Sequence, residues 1–193
     1  MKLLHVDSSI LGGDSVSRRL TAEVVERFAR DHAGLEVVRR DLAADPLPHL
    51  AADALGGLST NPALQELLAA DVIVIGAPMY NFTIPTQLKA WLDRLAVAGT
   101  TFKYTSAGAV GLLQGKRVVV VSTRGGAYGP DEGDFVEPYL RFLFSFLGVT
   151  DLEIVRAEGL AMGDERRQQA LDAAAARIAA LTTRRDAAVS IAA

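Results

Sequence analysis

The sequence predicts a doubly wound α/β fold, in which helices cover both faces of a parallel β-sheet. Short runs that are apolar at every position, rich in Val and Ile, alternate with longer segments of helical periodicity. Strands buried on both faces have this continuous apolar pattern, whereas half-exposed strands alternate apolar and polar residues. Five such alternations in 193 residues predict one domain, residues 1–193, built on a five-stranded sheet.

Each predicted element rests on its own pattern. The strands are expected at Leu3–Val6, Val72–Ala77, Val118–Val121 and Leu152–Val155, with a weaker run at Leu35–Val38. Four apolar helical stripes are Leu20, Val24 and Phe28; Leu88, Trp91, Leu92 and Leu95; Val136, Leu140, Leu143 and Leu147; and Leu171, Ala174, Ile178 and Leu181. The segment from Ala43 to Pro62 contains three prolines and little periodicity, so a long surface loop is expected there.

Composition excludes several classes of function. A net charge of −3 gives no basic surface for nucleic acid, and the absence of cysteine rules out disulfides, thiolate metal ligands and cysteine nucleophiles. The three histidines are scattered without the spacing of a metal site. No apolar run approaches the ~20 residues of a membrane span, and none resembles a signal peptide. We therefore expect a cytoplasmic protein that binds neither metal, membrane nor nucleic acid.

The loop after the first predicted strand is a candidate phosphate site. Ligands of doubly wound folds bind beyond the carboxyl ends of the strands, and here Ser8–Ser17 leads directly into a helix. A helix N-terminus offers backbone N–H donors and a positive dipole end, to which Ser9, Ser15, Val16 and Ser17 add hydroxyl and backbone donors. The alternative is that Ser15 and Ser17 only cap the helix. The glycine fingerprint of a dinucleotide site is absent.

The loop after the third predicted strand in chain order, Val72–Ala77, is unusually apolar. Between two prolines it carries Met79, Tyr80, Asn81 and Phe82, which places large apolar groups at a normally polar strand end. A planar, partly apolar ligand would account for them. The alternative is that the aromatic rings close the edge of the domain.

The loop after the next strand contains paired glycines. Its residues Thr123, Arg124, Gly125 and Gly126 begin a segment that continues to Gly129. Glycine lets a backbone approach a ring closely and donate hydrogen bonds to it, and Arg124 is expected to balance negative charge on a reduced ring. A phosphate cradle, an apolar slot and a glycine-lined edge together fit FMN better than NAD alone.

These loops resemble those of the bacterial FMN-dependent NADH:quinone oxidoreductases, also called FMN-dependent azoreductases. The matching segments are Ser8–Leu11, Ser15–Ser17, Ala77–Phe82, Gln87–Lys89, Gly99–Tyr104 and Thr123–Gly126. The resemblance implies a flavodoxin-like sheet of order 2-1-3-4-5 and a homodimer with one FMN per subunit. It also implies that NADH or NADPH reduces the flavin, which then reduces a quinone or azo compound by a ping-pong mechanism.

The same resemblance assigns roles to individual positions. The phosphate and ribityl groups are expected at Ser9 and Ser15–Ser17, and the flavin ring at Met79–Phe82 and Thr123–Gly126. Phe102, near the exposed face of the flavin, and Tyr128 are candidate substrate-pocket residues; the alternative for Phe102 is a surface hairpin. No general acid or base is assigned, because the cofactor carries the chemistry. The segment between Leu50 and Ala70 is shorter than is usual in the family, which leaves substrate range open.

The remaining expectations concern assembly, one pair of charged residues and the rival functions. A second stripe, Phe135, Tyr139, Phe142 and Phe146, predicts a dimer interface, unless it packs within its own subunit. The pair Arg166–Arg167 is expected on a solvated helix face. A flavodoxin-type electron carrier and an NADPH-dependent FMN reductase are the alternatives to the enzyme, although carriers tend to be more acidic than this chain.

Overall fold

The computed structural model describes residues 1–128 and 132–183. In chain order its strands are β1 (Lys2–Asp7), β2 (Glu36–Asp41), β3 (Val72–Pro78), β4 (Phe102–Thr105), β5 (Gly108–Gly111), β6 (Arg117–Thr123) and β7 (Asp151–Ala157). The helices are α1 (Val16–Asp31), α2 (Pro62–Ala69), α3 (Thr86–Leu92), α4 (Glu137–Phe146) and α5 (Asp164–Ala179).

Five strands form one parallel sheet in the order β2-β1-β3-β6-β7, and β4 pairs with β5 as a separate antiparallel hairpin. Counted within the large sheet alone, this order is 2-1-3-4-5, which confirms the predicted topology. The chain adds β2 on one side of β1 and then β3, β6 and β7 on the other, so the strand order reverses between β1 and β3. The crevice above the carboxyl ends of these two strands is where this class of fold binds ligands.

The hydrophobic core consists of two layers, one on each face of the sheet. Along β3, Val72 and Val74 face a cluster with α1 and α5, whereas Ile73 and Ile75 face a cluster with α2, α3 and α4. Successive strand residues point to opposite faces, so a strand between two helical layers must be apolar throughout. This requirement explains why the continuous runs were good predictors.

The predicted loop from Ala43 to Pro62 contains more structure than expected. A 3₁₀ helix spans Ala52–Thr60, and α2 follows it directly. The side chain of Asn61 accepts a hydrogen bond of 3.0 Å from the Ala63 N–H, and Pro62 occupies the first helical position. Helix α2 was not predicted because its buried stripe covers only Ala63, Leu64 and Leu67.

The hairpin and the end of α4 pack together in the second core layer. The ring of Phe102 is buried against that of Phe146, with centroids 4.9 Å apart, whereas Tyr104 is exposed. The N–H of Leu113 donates a 2.8 Å hydrogen bond to the carbonyl of Leu147. The hairpin alternative for residue 102 is therefore right, but the ring faces the core rather than the surface.

The two stripes predicted on α4 are only partly separated in the structure. Val136, Leu140 and Leu147 are buried as expected, but Leu143 is half-buried, and the fully buried Phe144 belongs to neither predicted stripe. Phe146 and Tyr139 pack against their own subunit, while Phe135 and Phe142 are 63% and 75% exposed. Within the described parts of the chain, no helix is long and apolar enough to cross a membrane.

Candidate active site

A cavity of about 240 Å³ lies at the carboxyl ends of β1, β3, β6 and β7. Four loops and the starts of α1 and α5 supply its walls. The lining residues are Ser9, Leu11, Asp14, Ser15, Val16, Pro78, Met79, Tyr80, Thr123, Arg124, Gly125, Leu160, Ala161 and Arg167. The parallel sheet places the ends of non-consecutive chain segments at one edge, so the cavity joins residues that are far apart in sequence.

The first loop presents the N-terminus of α1 to this cavity. Ser15 is the N-cap, and its hydroxyl accepts from the Arg18 N–H at 3.3 Å and lies 3.0 Å from the Ser17 hydroxyl. The other N–H groups of the first turn have no carbonyl partner within the helix, as at any helix N-terminus. Capping therefore leaves the other N–H groups of the first turn available to an anion, because Ser15 satisfies only one of those donors.

Arg18 fixes the position of the first loop. Its guanidinium donates two hydrogen bonds to the Ser9 carbonyl, at 2.9 and 3.3 Å, and two to the Asp41 carboxylate, at 2.5 and 2.7 Å. The hydrogen bond from Arg18 holds the pKa of Asp41 at about 2. The ion pair thus persists at neutral pH and connects the loop to the end of β2.

Tyr80 connects the second loop to the first. Its hydroxyl lies 3.2 Å from the Ser9 hydroxyl and accepts a hydrogen bond of 3.2 Å from the Ile10 N–H. The resemblance places Tyr80 at the flavin ring, whereas the structure brings its hydroxyl to the predicted phosphate loop. The residue therefore fixes the distance between the two parts of the cavity.

Asn81 and Phe82 form a tight turn with an uncommon backbone. Their φ angles are 48° and 72°, and Tyr80 and Thr83 exchange backbone hydrogen bonds across them. Positive φ at both central residues defines a turn in which Asn fits the first position and Gly is preferred at the second. Phe82 is strained there, and such strain is typical of functional sites. Neither side chain lines the cavity; the Phe82 ring lies exposed and edge-on to Tyr128, with centroids 6.0 Å apart.

Arg124 belongs to a buried ionic network rather than to the cavity's electrostatics. Its guanidinium donates hydrogen bonds of 2.6 Å to both Asp134 and Glu137 and of 2.9 Å to the Ser122 hydroxyl. Arg156 donates two more, both 2.6 Å, to Glu137. Burial would raise the pKa of Asp134, but hydrogen bonds from Arg124 and the backbone outweigh it and lower that pKa. Two arginines and two carboxylates make this network electrically balanced, so Arg124 has no surplus charge to offer, and its role at a reduced ring stays a prediction that this pairing does not favour.

The loop after β7 completes the cavity, although no sequence motif marks it. The N–H groups of Gly159, Leu160 and Ala161 donate to the carbonyls of Gly126, Arg124 and Gly125, at 2.7, 3.2 and 2.9 Å. These bonds hold the glycine loop from behind. The carboxyl ends of parallel strands lie at the same edge of a sheet. The loop after the fifth predicted strand could therefore have been predicted to join the site.

Arg167 also lines the cavity, although it was expected on a solvated face. It is half-buried, while its neighbour Arg166 is exposed. Arg167 lies four residues before Leu171 and thus one turn before the stripe of Leu171, Ala174 and Ile178. Extending that stripe backwards would have predicted that the side chain points toward the sheet.

The predicted site residues divide into three groups. Ser9, Ser15, Val16, Met79, Tyr80, Thr123, Arg124 and Gly125 line the cavity. Neighbours in the same loops that do not line the cavity are Ser17, Asn81, Phe82 and Gly126. Tyr128 packs on Phe82, and a Cβ added to Gly126 would lie 3.1 Å from the Tyr128 ring. Phe102 is in the core and is not one of the lining residues, so its predicted place in the substrate pocket is not supported within one subunit. Gly129 lies outside the described residues.

The fold and the cavity together define a protein of the flavodoxin-like class. The sequence model of a family described as "Flavodoxin-like fold" matches residues 1–181. No group of three or more His, Cys, Asp or Glu residues in the described ranges is arranged to hold a metal ion. The sheet order, the helix N-terminus at the first loop and the glycine loop agree with this class.

Similar proteins narrow the class. The chain is 52% identical over 182 residues to an FMN-dependent NADH:quinone oxidoreductase of Stenotrophomonas maltophilia, covering 91% of this chain and 93% of the relative. It is 54% identical over 196 residues to the corresponding enzyme 1 of Pseudomonas putida, covering 93% and 97%. An FMN-dependent NADH-azoreductase from Bacillus anthracis, solved in complex with FMN, has a TM-score of 0.81 at 28% identity and covers 92% and 95%. The chain belongs to the family of FMN-dependent NADH:quinone oxidoreductases.

Proposed function

We propose that this protein is an FMN-dependent NADH:quinone oxidoreductase that also reduces azo compounds. The observation that carries the proposal is a single cavity in which the N-terminus of α1 faces a glycine-lined loop across Met79 and Tyr80. A phosphorylated planar ring requires a site for its anion, an apolar wall for its faces and a backbone without side chains that its edge can approach closely. Relatives above 50% identity are named FMN-dependent NADH:quinone oxidoreductases, and a structural neighbour at 28% identity is an FMN-dependent NADH-azoreductase.

The residues present fit FMN by the chemistry of their donors. The Ser15 hydroxyl and the first turn of α1 suit a phosphate, and the Gly125 backbone leaves room for a ring edge. Bound FMN would supply two-electron transfer between a nicotinamide and an acceptor. The protein's part is to hold the ring with Met79 and Thr123, to anchor the phosphate, and to keep the glycine loop in place through Leu160 and Ala161.

The same geometry supports an order in which the substrates react. The cavity is lined for one planar cofactor, so NADH or NADPH and the quinone or azo acceptor would take turns at the exposed ring face. That arrangement gives ping-pong kinetics and distinguishes the enzyme from an electron carrier, which reacts with protein partners. The cytoplasmic location and the use of NADPH beside NADH stay predictions.

Initial velocities test this function directly. We expect purified protein reconstituted with FMN to turn over NADH with a simple benzoquinone and to give parallel double-reciprocal lines. Intersecting lines would show that both substrates are bound at once and would contradict a shared site. Negligible turnover with tight FMN binding would favour a carrier, and failure to retain FMN would favour an FMN reductase that releases its flavin.

We also propose that the protein is a homodimer whose interface includes the exposed aromatic residues near α4. Phe135 and Phe142 are the exposed members of the predicted stripe, and the Phe135 N–H donates a 3.0 Å hydrogen bond to the carbonyl of Phe82. The aromatic surface therefore begins at the turn beside the cavity. A second, mostly apolar groove of about 240 Å³, lined by Thr83, Ile84, Thr86, Lys89 and Tyr139, lies between this turn and α4. Exposed apolar surface of this kind marks an interaction site.

Phe142→Glu should shift the protein toward monomer. The charge would be buried without a partner in the interface, which disfavours association, whereas in the monomer the side chain stays in water. We expect a lower mass by sizing column and lower turnover, with Leu55→Glu, at another exposed apolar position, as the control. A Phe142→Glu protein that remains dimeric and fully active would place the interface elsewhere.

A further inference from the structure

The charged side chains around the cavity leave one cation without a counter-charge. Three charged residues line it: Asp14, Arg124 and Arg167. Arg124 is neutralised by Asp134 and Glu137, and Asp14 is exposed and adds negative charge. Among the described residues no carboxylate lies within ion-pair distance of Arg167, whose side chain donates a 3.2 Å hydrogen bond to the Leu160 carbonyl.

Arg167 also stands where local rules disfavour it. It is the fourth residue of α5, and positive charge in the first turn of a helix opposes the helix dipole. It is half-buried as well, which adds a desolvation penalty. The hydrogen bond to Leu160 is its one internal contact of this kind, and no ion pair of a described carboxylate offsets the charge, which points to an anionic ligand that does.

A phosphate is the group whose charge this position would match. Ser15, Val16 and Arg167 line the same cavity, and α1 packs against α5. The dipole of α1 supplies only roughly half a positive charge to an anion at its N-terminus, and Asp14 opposes it. Arginine donates to phosphate through a planar fork in strong charge-assisted hydrogen bonds.

We propose that Arg167 is a ligand-binding residue that contacts the phosphate of the flavin cofactor, opposite the N-terminus of α1. This inference rests on the proposed FMN dependence and adds a residue from the last helix to the cofactor site. From sequence, Arg124 is the only residue expected to supply positive charge to the site. The structure transfers that role to Arg167 and from the flavin ring to the phosphate.

Comparing FMN with riboflavin isolates the phosphate contact, because riboflavin has the same ring without the phosphate. Apoprotein is titrated with each flavin, and binding is followed by the quenching of flavin fluorescence. For Arg167→Gln we expect FMN affinity to fall by about tenfold or more, with riboflavin affinity unchanged. Raising the salt concentration should weaken FMN binding less in the variant than in the wild type.

Arg166→Gln is the matched control. It removes the same charge from the same helical turn, but Arg166 is exposed and does not line the cavity. We expect it to bind FMN as the wild type does. Equal losses in both variants would mean that only the general charge of α5 matters and would overturn the proposal.

Three other results would also decide the question. Unchanged FMN affinity in Arg167→Gln would overturn the proposal, and equal losses of FMN and riboflavin would assign Arg167 to the ring or to folding instead. Because a folding defect lowers the affinities for FMN and riboflavin alike, the ratio of the two affinities remains informative even in an unstable variant. Wild-type protein that binds no FMN would defeat the proposed function itself, which is a different failure.

Discussion

Gly111→Ala should destabilise the protein by about 3 kcal/mol or more, since overpacking a closed contact forces the backbone to move. The Cβ of such an alanine would lie far inside contact distance of the backbone N of Gly148. In the reverse direction, a Cβ on Gly148 would lie 2.7 Å from the carbonyl carbon of Gly111. The end of β5 and the turn after α4 thus meet backbone to backbone, and no side chain at either position can rotate away.

The substitution should separate the hairpin from α4. The hydrogen bond from Leu113 to Leu147 and the packing of Phe102 on Phe146 both depend on this approach. Gly111 is the cleaner position to test, because Gly148 also has a φ of 97° that any L-residue would find strained.

Urea unfolding measures this effect. The control is Gly57→Ala, since a Cβ on that exposed glycine has no atom within 4 Å, and we expect its stability to stay within about 0.5 kcal/mol of wild type or rise slightly. A Gly111→Ala protein as stable as the control would show that the two backbones do not touch in solution.

The sequence predicted the three central strands β1, β3 and β6 well because they are buried on both faces. Apolar residues at every position of β3 and at Val118–Val121 of β6 follow directly from two helical layers, so these strands needed no knowledge of distant contacts. Helix α2 was not predicted because its two turns are too short to show a clear apolar periodicity. Phe144 was missed because it belongs to neither stripe assigned to α4, yet tertiary packing buries it completely.

The candidate site was predictable where a loop alone determines the chemistry. The first loop and the glycine loop could be assigned from residue type and position. The charges could not, because the fate of Arg124 depends on Asp134 and Glu137, which α4 brings to it from another segment. The same limit hid Arg167, whose importance appears only when the other cation in the site is found to be paired.

Glu137→Gln should be the most damaging single substitution among the described ion pairs that support the site. Glu137 accepts hydrogen bonds from both Arg124 and Arg156, and its side chain is 7% exposed. Removing its charge leaves the buried Arg124 with Asp134 as its one remaining carboxylate partner, whereas Arg156 is 51% exposed and stays solvated. Breaking a buried ion pair from one side typically destabilises a protein by roughly 3 kcal/mol or more, because the remaining charge stays buried.

The consequence should reach the cofactor site. Arg124 is held by its side chain in the network, while its backbone N–H donates to the Ala157 carbonyl and its own carbonyl accepts from the Leu160 N–H. Displacing the side chain therefore moves the glycine loop relative to β7. We expect FMN and riboflavin affinities to fall together, in contrast to the phosphate-specific loss expected at Arg167.

Glu153→Gln provides a matched control. Glu153 also binds two arginines, Arg117 and Arg177, and Arg117 keeps Asp151 at 3.4 Å when Glu153 is neutralised. The difference is solvent, because the Glu153 side chain is 23% exposed against 7% for Glu137, and its inner partner Arg117 is 11% exposed against 1% for Arg124. We expect this variant to lose about 1 kcal/mol or less and to bind flavin normally. Equal losses of stability in the two variants would show that burial does not set the strength of the Glu137 network, and unchanged flavin binding in Glu137→Gln would show that the network does not position the glycine loop.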